Sequence, residues 1–203
     1  MEAWWWRRYL GGREPADYLA WKRAYWRDFL EGLDVDVADG SSVLDAGCGP
    51  AGVFTVLGGA DVTALDPLLV EYARLPHFSP ADYADVTFVA TALEEFAPRR
   101  RWDVVFCLNV VNHVRDLGAV LRKLASATKE GGTVVLSVDA HRYRIARAAF
   151  RSVPGDVLHP HQLTLPEYEA AVADAGLAIL RRRLVKREAL FDYVALVCAP
   201  AAR

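Results

Sequence analysis

Residues 43–52 read VLDAGCGPAG, an apolar strand-like run that passes through an aspartate and breaks into a glycine-rich turn. Gly47, Gly49 and Gly52 satisfy the spacing G-x-G-x-x-G, and Val53 to Leu57 can open a helix behind them. Strand, glycine turn and helix in that order predict a site where backbone closely approaches a nucleotide-like ligand. By their glycines alone, these residues suit a dinucleotide as well as any other nucleoside.

Outward from this stretch, short runs rich in β-branched residues recur: SSVLDA (41–46), DVTALD (61–66), DVTFVA (85–90), WDVVFCL (102–108) and GGTVVLSVD (131–139). Helical stretches are expected between them at 53–58, 68–75 and 117–128. Strands alternating with helices imply a parallel sheet, and three of these runs are nearly all apolar, which suits strands covered on both faces. Thr164-x-x-Glu167 forms a capping box, Pro166 sits in the first turn behind it, and Gly176 ends that helix. LAILRRRLV (177–185) and LFDYVALVCA (190–199) close the chain as an antiparallel pair. The expected architecture is α/β. It is a Rossmann-like, doubly wound, mostly parallel seven-stranded sheet with helices on both faces and an antiparallel C-terminal strand.

The 203 residues carry a net charge of −2 with both signs mixed, so bulk charge gives no reason to expect nucleic acid as a partner. Residues 1–40 are expected to form a helical N-terminal extension and residues 41–203 a single ligand-binding domain. From Asp17 to Leu33 the apolar residues recur at three- and four-residue steps, as an amphipathic helix requires. Trp4, Trp5, Trp6, Tyr9, Trp21 and Trp26 admit three readings: a lid over the ligand cleft, core, or a dimer surface. Cys48, Cys107 and Cys198 are odd in number and far apart, which argues against a disulfide framework and against zinc. With no signal-peptide pattern and no apolar run long enough for a membrane span, a cytoplasmic monomer or homodimer is expected. No metal is expected.

Asp45 sharpens the reading of the glycine turn. A carboxylate two residues before the first glycine would repel a pyrophosphate, whereas it favours a ligand that carries a sulfonium and an ammonium and no phosphate. S-adenosylmethionine is such a ligand. Asp66 stands 21 residues later at the end of the next strand, where an acid can accept hydrogen bonds from both ribose hydroxyls. Pro67 and Leu68 behind it offer apolar surface to an adenine.

On these residues the chain, from about Ser41 onward, resembles the class I S-adenosylmethionine-dependent methyltransferases. VLDAGCG is similar to the first motif of that family, DVTALDP to the second, ATALEEF to the adenine-contacting segment and WDVVFCLNVVNHV to the fourth. KEGGTVVLS resembles its turn into strand five. The resemblance implies that Asp45 and the segment Ala46, Gly47, Cys48 and Gly49 hold the methionine part, that Asp66 holds the ribose, and that Pro67 and Leu68 line the adenine. It implies further contacts from Thr91, Ala92 and Leu93, and a backbone carbonyl of Asn109 directed at the methionine amino group. Two positions depart from the family pattern: Thr91 replaces the usual acid at the adenine amino group, and Ala51 stands where many members have the third glycine.

The implied activity is methyl transfer to a small-molecule acceptor, mainly by positioning. The sulfonium already activates its methyl carbon, so a base is required only if the acceptor must lose a proton. Histidine is the first choice for that base. Of the five histidines, His113, His159 and His161 are the catalytic candidates, with His141 a further position after strand five. The connection 139–165 is long for a compact domain and is expected to wall the acceptor side. Arg99 to Arg101 and Arg181 to Arg183 read as solvated charge. The alternatives are an RNA or protein methyltransferase and a non-catalytic nucleotide-binding module. Against the first stands Asn109-Val-Val-Asn112 in place of the Asn-Pro-Pro-Tyr type motif. A short-chain dehydrogenase is disfavoured too, because Tyr18 to Lys22, with Tyr-x-x-x-Lys spacing, precedes the glycine turn.

Overall fold

The computed structural model describes residues 2–142, 161 and 163–201, so His159 and most of the 139–165 connection lie outside the described residues. The chain forms two compact units, Met1–Ala97 and Pro98–Arg203.

The first unit contains helices α1 (Glu2–Leu10) and α2 (Pro15–Glu31), then strands β1 (Ser42–Ala46), β2 (Asp61–Leu65) and β3 (Val86–Val89), with helix α3 (Leu69–Tyr72) between β2 and β3. The strands run parallel in the order β3-β2-β1, with Ala46 opposite Leu65 and Leu65 opposite Val89. Their carboxyl ends therefore lie side by side, which brings the glycine turn, Asp66 and the segment after Val89 to one edge. All five residues of β1 are buried, Ser42 and Asp45 among them. Phe88 of β3 meets Phe54 and Phe78 edge to face, with ring centroids 5.2 Å apart in each pair.

Two expected helices are shorter here than their apolar patterns suggest. The stretch 53–58 is only a 3-10 turn over Val53–Val56, because three β-branched residues are followed by Gly58 and by Gly59 at φ 90°. The stretch 68–75 shrinks to Leu69–Tyr72, since Pro76 disfavours helical geometry at Leu75.

The second unit contains β4 (Trp102–Leu108), α4 (Leu117–Ala127), β5 (Thr128–His141), α5 (Leu165–Asp174), β6 (Leu177–Arg187) and β7 (Phe191–Pro200). Its strand order is β4-β5-β7-β6. β4 and β5 are parallel, and β7 is antiparallel to both β5 and β6. Helix α4 starts at Asp116, whose Oδ1 accepts the Ala119 N–H at 2.8 Å, and it buries Leu117, Val120, Leu121 and Leu124. Each such side chain contributes about 1.5–3 kcal/mol by leaving water. The capping box is present, with the Glu167 carboxylate accepting the Thr164 N–H at 2.8 Å, and Gly176 at φ 81° follows the end of α5.

β5 begins earlier than its apolar run suggests. Gly131 at φ 73° and Gly132 form an irregularity inside the strand, where the β4–β5 register shifts between Trp102 and Val104. A side chain on Gly132 would come 2.8 Å from the Asp103 carbonyl. Arg181 and Arg182 are exposed and Arg183 half-buried on β6, an edge strand of this unit, and Arg182 pairs with Glu169 at 2.9 Å. Charge on an edge discourages pairing with another chain. Among the described residues, no helix is long and apolar enough to cross a membrane.

Candidate cofactor site

The glycine turn is clasped to the end of β2. The N–H groups of Gly47 and Cys48 both donate to the Leu65 carbonyl, at 2.7 and 3.0 Å, and Gly49 donates to Asp66 Oδ2 at 3.0 Å. Gly47 at φ 77° and Gly49 at φ 59° occupy the left-handed region that lets the chain double back so tightly. The second Asp66 oxygen, Oδ1, accepts the Leu68 N–H at 2.8 Å. Asp66 thus props the turn it faces.

Asp45 is buried beneath the turn, and its Oδ2 accepts the Phe54 N–H at 3.2 Å. Burial pushes its carboxyl up to about 7; the Phe54 hydrogen bond lowers it, the Asp66 charge raises it further, and Lys22 lowers it. A carboxyl held above its ordinary value binds its proton more tightly folded than unfolded. Its contribution to stability is therefore complete below the unfolded value near ~4 and is lost as pH rises through about 7. Affinity for a cationic ligand runs the other way. S-adenosylmethionine affinity measured by calorimetry is expected to rise from about pH 5.5 to about 7.5 in the wild type and to stay flat over that range in Asp45→Asn.

The third glycine explains the departure at Ala51. A Cβ on Gly52 would stand 2.3 Å from the Cys48 carbonyl oxygen and 2.7 Å from Asp45 Oδ2, so the position that admits no side chain is 52. Ala51 is buried in a cluster with Leu10 and Tyr18, packed by Trp6 and Tyr9. The tryptophans divide accordingly. Trp26 is core, its Nε1 donating to the Ala51 carbonyl at 2.9 Å. Trp6 is half-buried, edge-on to Tyr72 at 5.9 Å, with its Cζ2 4.0 Å from where a Gly49 Cβ would stand. Trp4, Trp5 and Trp21 are exposed.

Lys22 is a charged neighbour of Asp45 that the pattern of apolar residues passes over. It lies on α2 between Tyr18 and Trp26, the two side chains of that helix that meet Ala51. Its ammonium stands 4.5 Å from the Trp26 ring centroid and 5.2 Å from that of Tyr25. Burial lowers it to about 8, with the Asp45 carboxylate pulling it back up. Spacing held the signal: residues 18, 22, 26 and 29 share one helical face, so the lysine sits on the face that α2 buries.

The remaining candidates of this unit surround Asp66 with uneven burial. Ala46 and Cys48 are buried, Pro67 is exposed and Leu68 half-buried. The Asp66 N–H donates to the Val89 carbonyl at 3.2 Å, which places the start of the Thr91 segment beside it; Thr91 and Ala92 are half-buried and Leu93 is buried. Burial and the two nearby carboxylates hold the Cys48 thiol well above its ordinary range, so it is no nucleophile. Cys107 and Cys198 are buried free thiols as well, and burial pushes Cys198 up to about 12.

In the second unit, Asn109 follows β4 at φ 59°, and His113 is exposed in the turn beyond it, its N–H donating to the Val110 carbonyl at 2.9 Å. Asn112 is buried, and its Oδ1 lies 2.9 Å from the Tyr168 hydroxyl, which also reaches the His161 carbonyl at 2.8 Å. Asn112 and His161 are thus brought together through α5. The His161 Nε2 is a buried atom with no hydrogen-bond partner among the described residues. The His141 ring packs on Phe191 with centroids 4.3 Å apart. Among the described residues no cluster of three or more histidine, cysteine, aspartate or glutamate side chains could hold a metal ion.

A turn closed by two left-handed glycines, roofed by a position without room for a Cβ and flanked by two carboxylates, with the half-buried Lys22 acting on Asp45, suits a zwitterionic, phosphate-free nucleoside. The fold is the Rossmann-like α/β class, a mixed, mostly parallel seven-stranded sheet with antiparallel C-terminal strands. Residues 18–182 match the model of the methyltransferase-domain family, so the chain belongs to that family, whose cofactor is S-adenosylmethionine. A ubiquinone biosynthesis O-methyltransferase of Bradyrhizobium sp. (strain ORS 278) is 38% identical over 102 residues, covering 48% of this chain and 40% of that protein. Its counterpart in Rhodopseudomonas palustris (strain BisB18) is 35% identical over 102 residues, covering 48% of this chain and 39% of the relative. The matched stretch thus spans about two fifths of these relatives' length.

Among solved structures, the 1,6-didemethyltoxoflavin-N1-methyltransferase of Burkholderia thailandensis, with bound S-adenosylhomocysteine, aligns with a TM-score of 0.65 at 20% identity over 96% of this chain and 84% of that one. The magnesium protoporphyrin IX methyltransferase of Synechocystis PCC 6803, also with bound S-adenosylhomocysteine, aligns with a TM-score of 0.61 at 21% identity over 92% and 82%. These likenesses are of fold.

Proposed function

We propose that the chain is a methyltransferase domain that transfers the methyl group of S-adenosylmethionine to a hydroxyl-bearing small molecule. The observation that carries this reading is the pair Asp45 and Asp66 around the Gly47–Gly49 turn. Relatives named as O-methyltransferases of ubiquinone biosynthesis support a small hydroxylic acceptor, and the mild net charge offers no electrostatic footprint for RNA.

Asp66 takes the ribose hydroxyls through its carboxylate oxygens. Asp45, ionised, balances the positive charge of the methionine part. Lys22 supplies the cation for its carboxylate, the one charge that two aspartates would otherwise repel. Thr91, Ala92, Leu93, Pro67 and Leu68 form the adenine side, with Thr91 a neutral acceptor in place of an acid. His161, whose Nε2 has no hydrogen-bond partner among the described residues, takes the acceptor's proton. The bound cofactor supplies a methyl carbon already activated by its sulfonium. Transfer of that methyl to the acceptor oxygen would break the carbon–sulfur bond, and sulfur would keep the electron pair as a thioether.

Calorimetric titration with S-adenosylmethionine, S-adenosylhomocysteine and NAD tests the reading, and tighter binding of NAD would overturn it. In the same assay Lys22→Met is expected to lose roughly tenfold in affinity for S-adenosylmethionine and little for its decarboxylated analogue. Equal losses for both would remove Lys22 from the carboxylate. Turnover of catechols and phenols by the wild type, with a slower methyl transfer in His161→Asn that worsens as the hydroxyl becomes less acidic, is the expected activity result.

A further inference from the structure

Among the described residues of the first unit, the exposed large apolar side chains are Trp4, Trp5, Trp21 and Val70, three of them tryptophan. Helix α1 is covered on one side only. Leu10 is buried and Trp6 half-buried, against the Ala51 cluster and Tyr72. At 3.6 residues per turn, Trp4, Arg8 and Trp5 fall together on the opposite arc. The Trp5 ring stacks on Tyr9 with centroids 4.8 Å apart; Tyr9 meets Tyr18 edge-on at 6.4 Å, and Tyr18 meets Trp21 at 5.9 Å. The exposed indoles of α1 and α2 therefore belong to one continuous chain of rings.

Arginines stand among these rings. The exposed Arg8 guanidinium lies 5.8 Å from the Trp4 ring centroid, and that of exposed Arg13 lies 4.4 Å from the Tyr9 centroid. Arg7, also exposed, pairs with Glu71 at 3.6 Å. Residues 2–13 set these three arginines against Glu2, so the segment is positive in a chain whose net charge is −2. Contact between cation and ring keeps the positive charge at the level of the indoles. An anionic bilayer surface favours that arrangement, because indoles settle among the headgroups while guanidinium groups meet lipid phosphates. We propose that the outer face of α1, continued by Trp21, docks on an anionic lipid surface and lies on it without crossing it. The complement is one of charge as well as of apolar area: a bilayer leaves the guanidinium groups in wet headgroups, whereas a second copy of this chain would have to cover them. The inference concerns the first unit alone and needs no assignment of the methyl acceptor.

The test is co-sedimentation of the full chain with phosphatidylcholine vesicles, with and without phosphatidylglycerol, beside tryptophan emission and sedimentation velocity. The wild type is expected to bind the phosphatidylglycerol vesicles with a blue shift in emission, and at least about tenfold more weakly when that lipid is left out or the salt is raised. The double variant Trp4→Ser, Trp5→Ser is expected to lose most of the blue shift and at least about tenfold in binding. Arg8→Glu is expected to lose roughly tenfold on the anionic vesicles. Wild type that ignores phosphatidylglycerol vesicles overturns the proposal, and so does undiminished binding in the double variant. A wild-type dimer that the double variant breaks, with no vesicle binding, would make this face an interface between two copies instead. Binding of an oligouridylate that the double variant loses, again with no vesicle binding, would assign the face to RNA. Should the double variant fail to fold, unchanged vesicle binding in Arg8→Glu would overturn the proposal equally well.

Discussion

Gly52→Ala is expected to abolish measurable cofactor binding and to lower the melting temperature by roughly 5–10 °C. Its backbone is ordinary, at φ −74°, so the loss does not come from a forbidden conformation. It comes from space. The new methyl group would meet the Cys48 carbonyl oxygen at 2.3 Å, and that oxygen belongs to the turn that must touch the ligand. Asp45 Oδ2 at 2.7 Å is the second obstacle, and it is tied to Phe54. Neither obstacle is the free end of a flexible side chain, so the turn has to open. Ala51→Gly is the matched control. It removes a methyl group packed by Leu10 and Tyr18 without moving the turn, and it is expected to keep binding at the cost of about 1 kcal/mol of stability. Calorimetry beside thermal melts of both variants reads the contrast, and retained affinity in Gly52→Ala would refute the steric argument.

Asp66→Ala is expected to weaken S-adenosylmethionine binding at least about a hundredfold, since two charge-assisted hydrogen bonds to a diol are lost together. The effect exceeds that of an ordinary binding residue. Asp66 also accepts from Gly49 and Leu68, so its removal strands two backbone donors and loosens the turn before any ligand arrives. Asp66→Asn separates the two roles. One amide oxygen still accepts from one of the two N–H groups, so the melting temperature should stay nearer the wild type than in Asp66→Ala while affinity still falls. Unchanged affinity in both variants would remove the ribose assignment.

The glycine turn and its acids were legible because they are local. Asp45, Gly47 and Gly49 lie within five residues, and the alternation of apolar runs with helical stretches brings Asp66 to the adjacent strand end. Lys22 was less visible, since a lysine on a helix reads as solvated until its neighbours at positions 18 and 26 are known to be buried. The short 3-10 turn at Val53–Val56 lost to its glycines and β-branched residues, and α3 lost to Pro76. Ser137 gave no signal at all. A serine inside GGTVVLSVD is one polar letter in an apolar strand, and only the β4–β5 register brings it to the Asn109 N–H, which its Oγ accepts at 2.8 Å. The histidines mark the same limit. Sequence could name His113 and His161 but not that Tyr168 would carry His161 to Asn112 and leave His113 at the surface.

The three buried thiols, Cys48 in the glycine turn, Cys107 on β4 and Cys198 on β7, make the protein its own reporter of local opening. While the chain is folded, alkylating reagents meet no accessible thiolate, so each cysteine is modified only when the segment that hides it opens. Labelling followed by mass spectrometry therefore clocks three parts of the molecule separately. Ligand that closes the turn slows the clock at Cys48 while leaving that at Cys198 to run at the pace of the sheet.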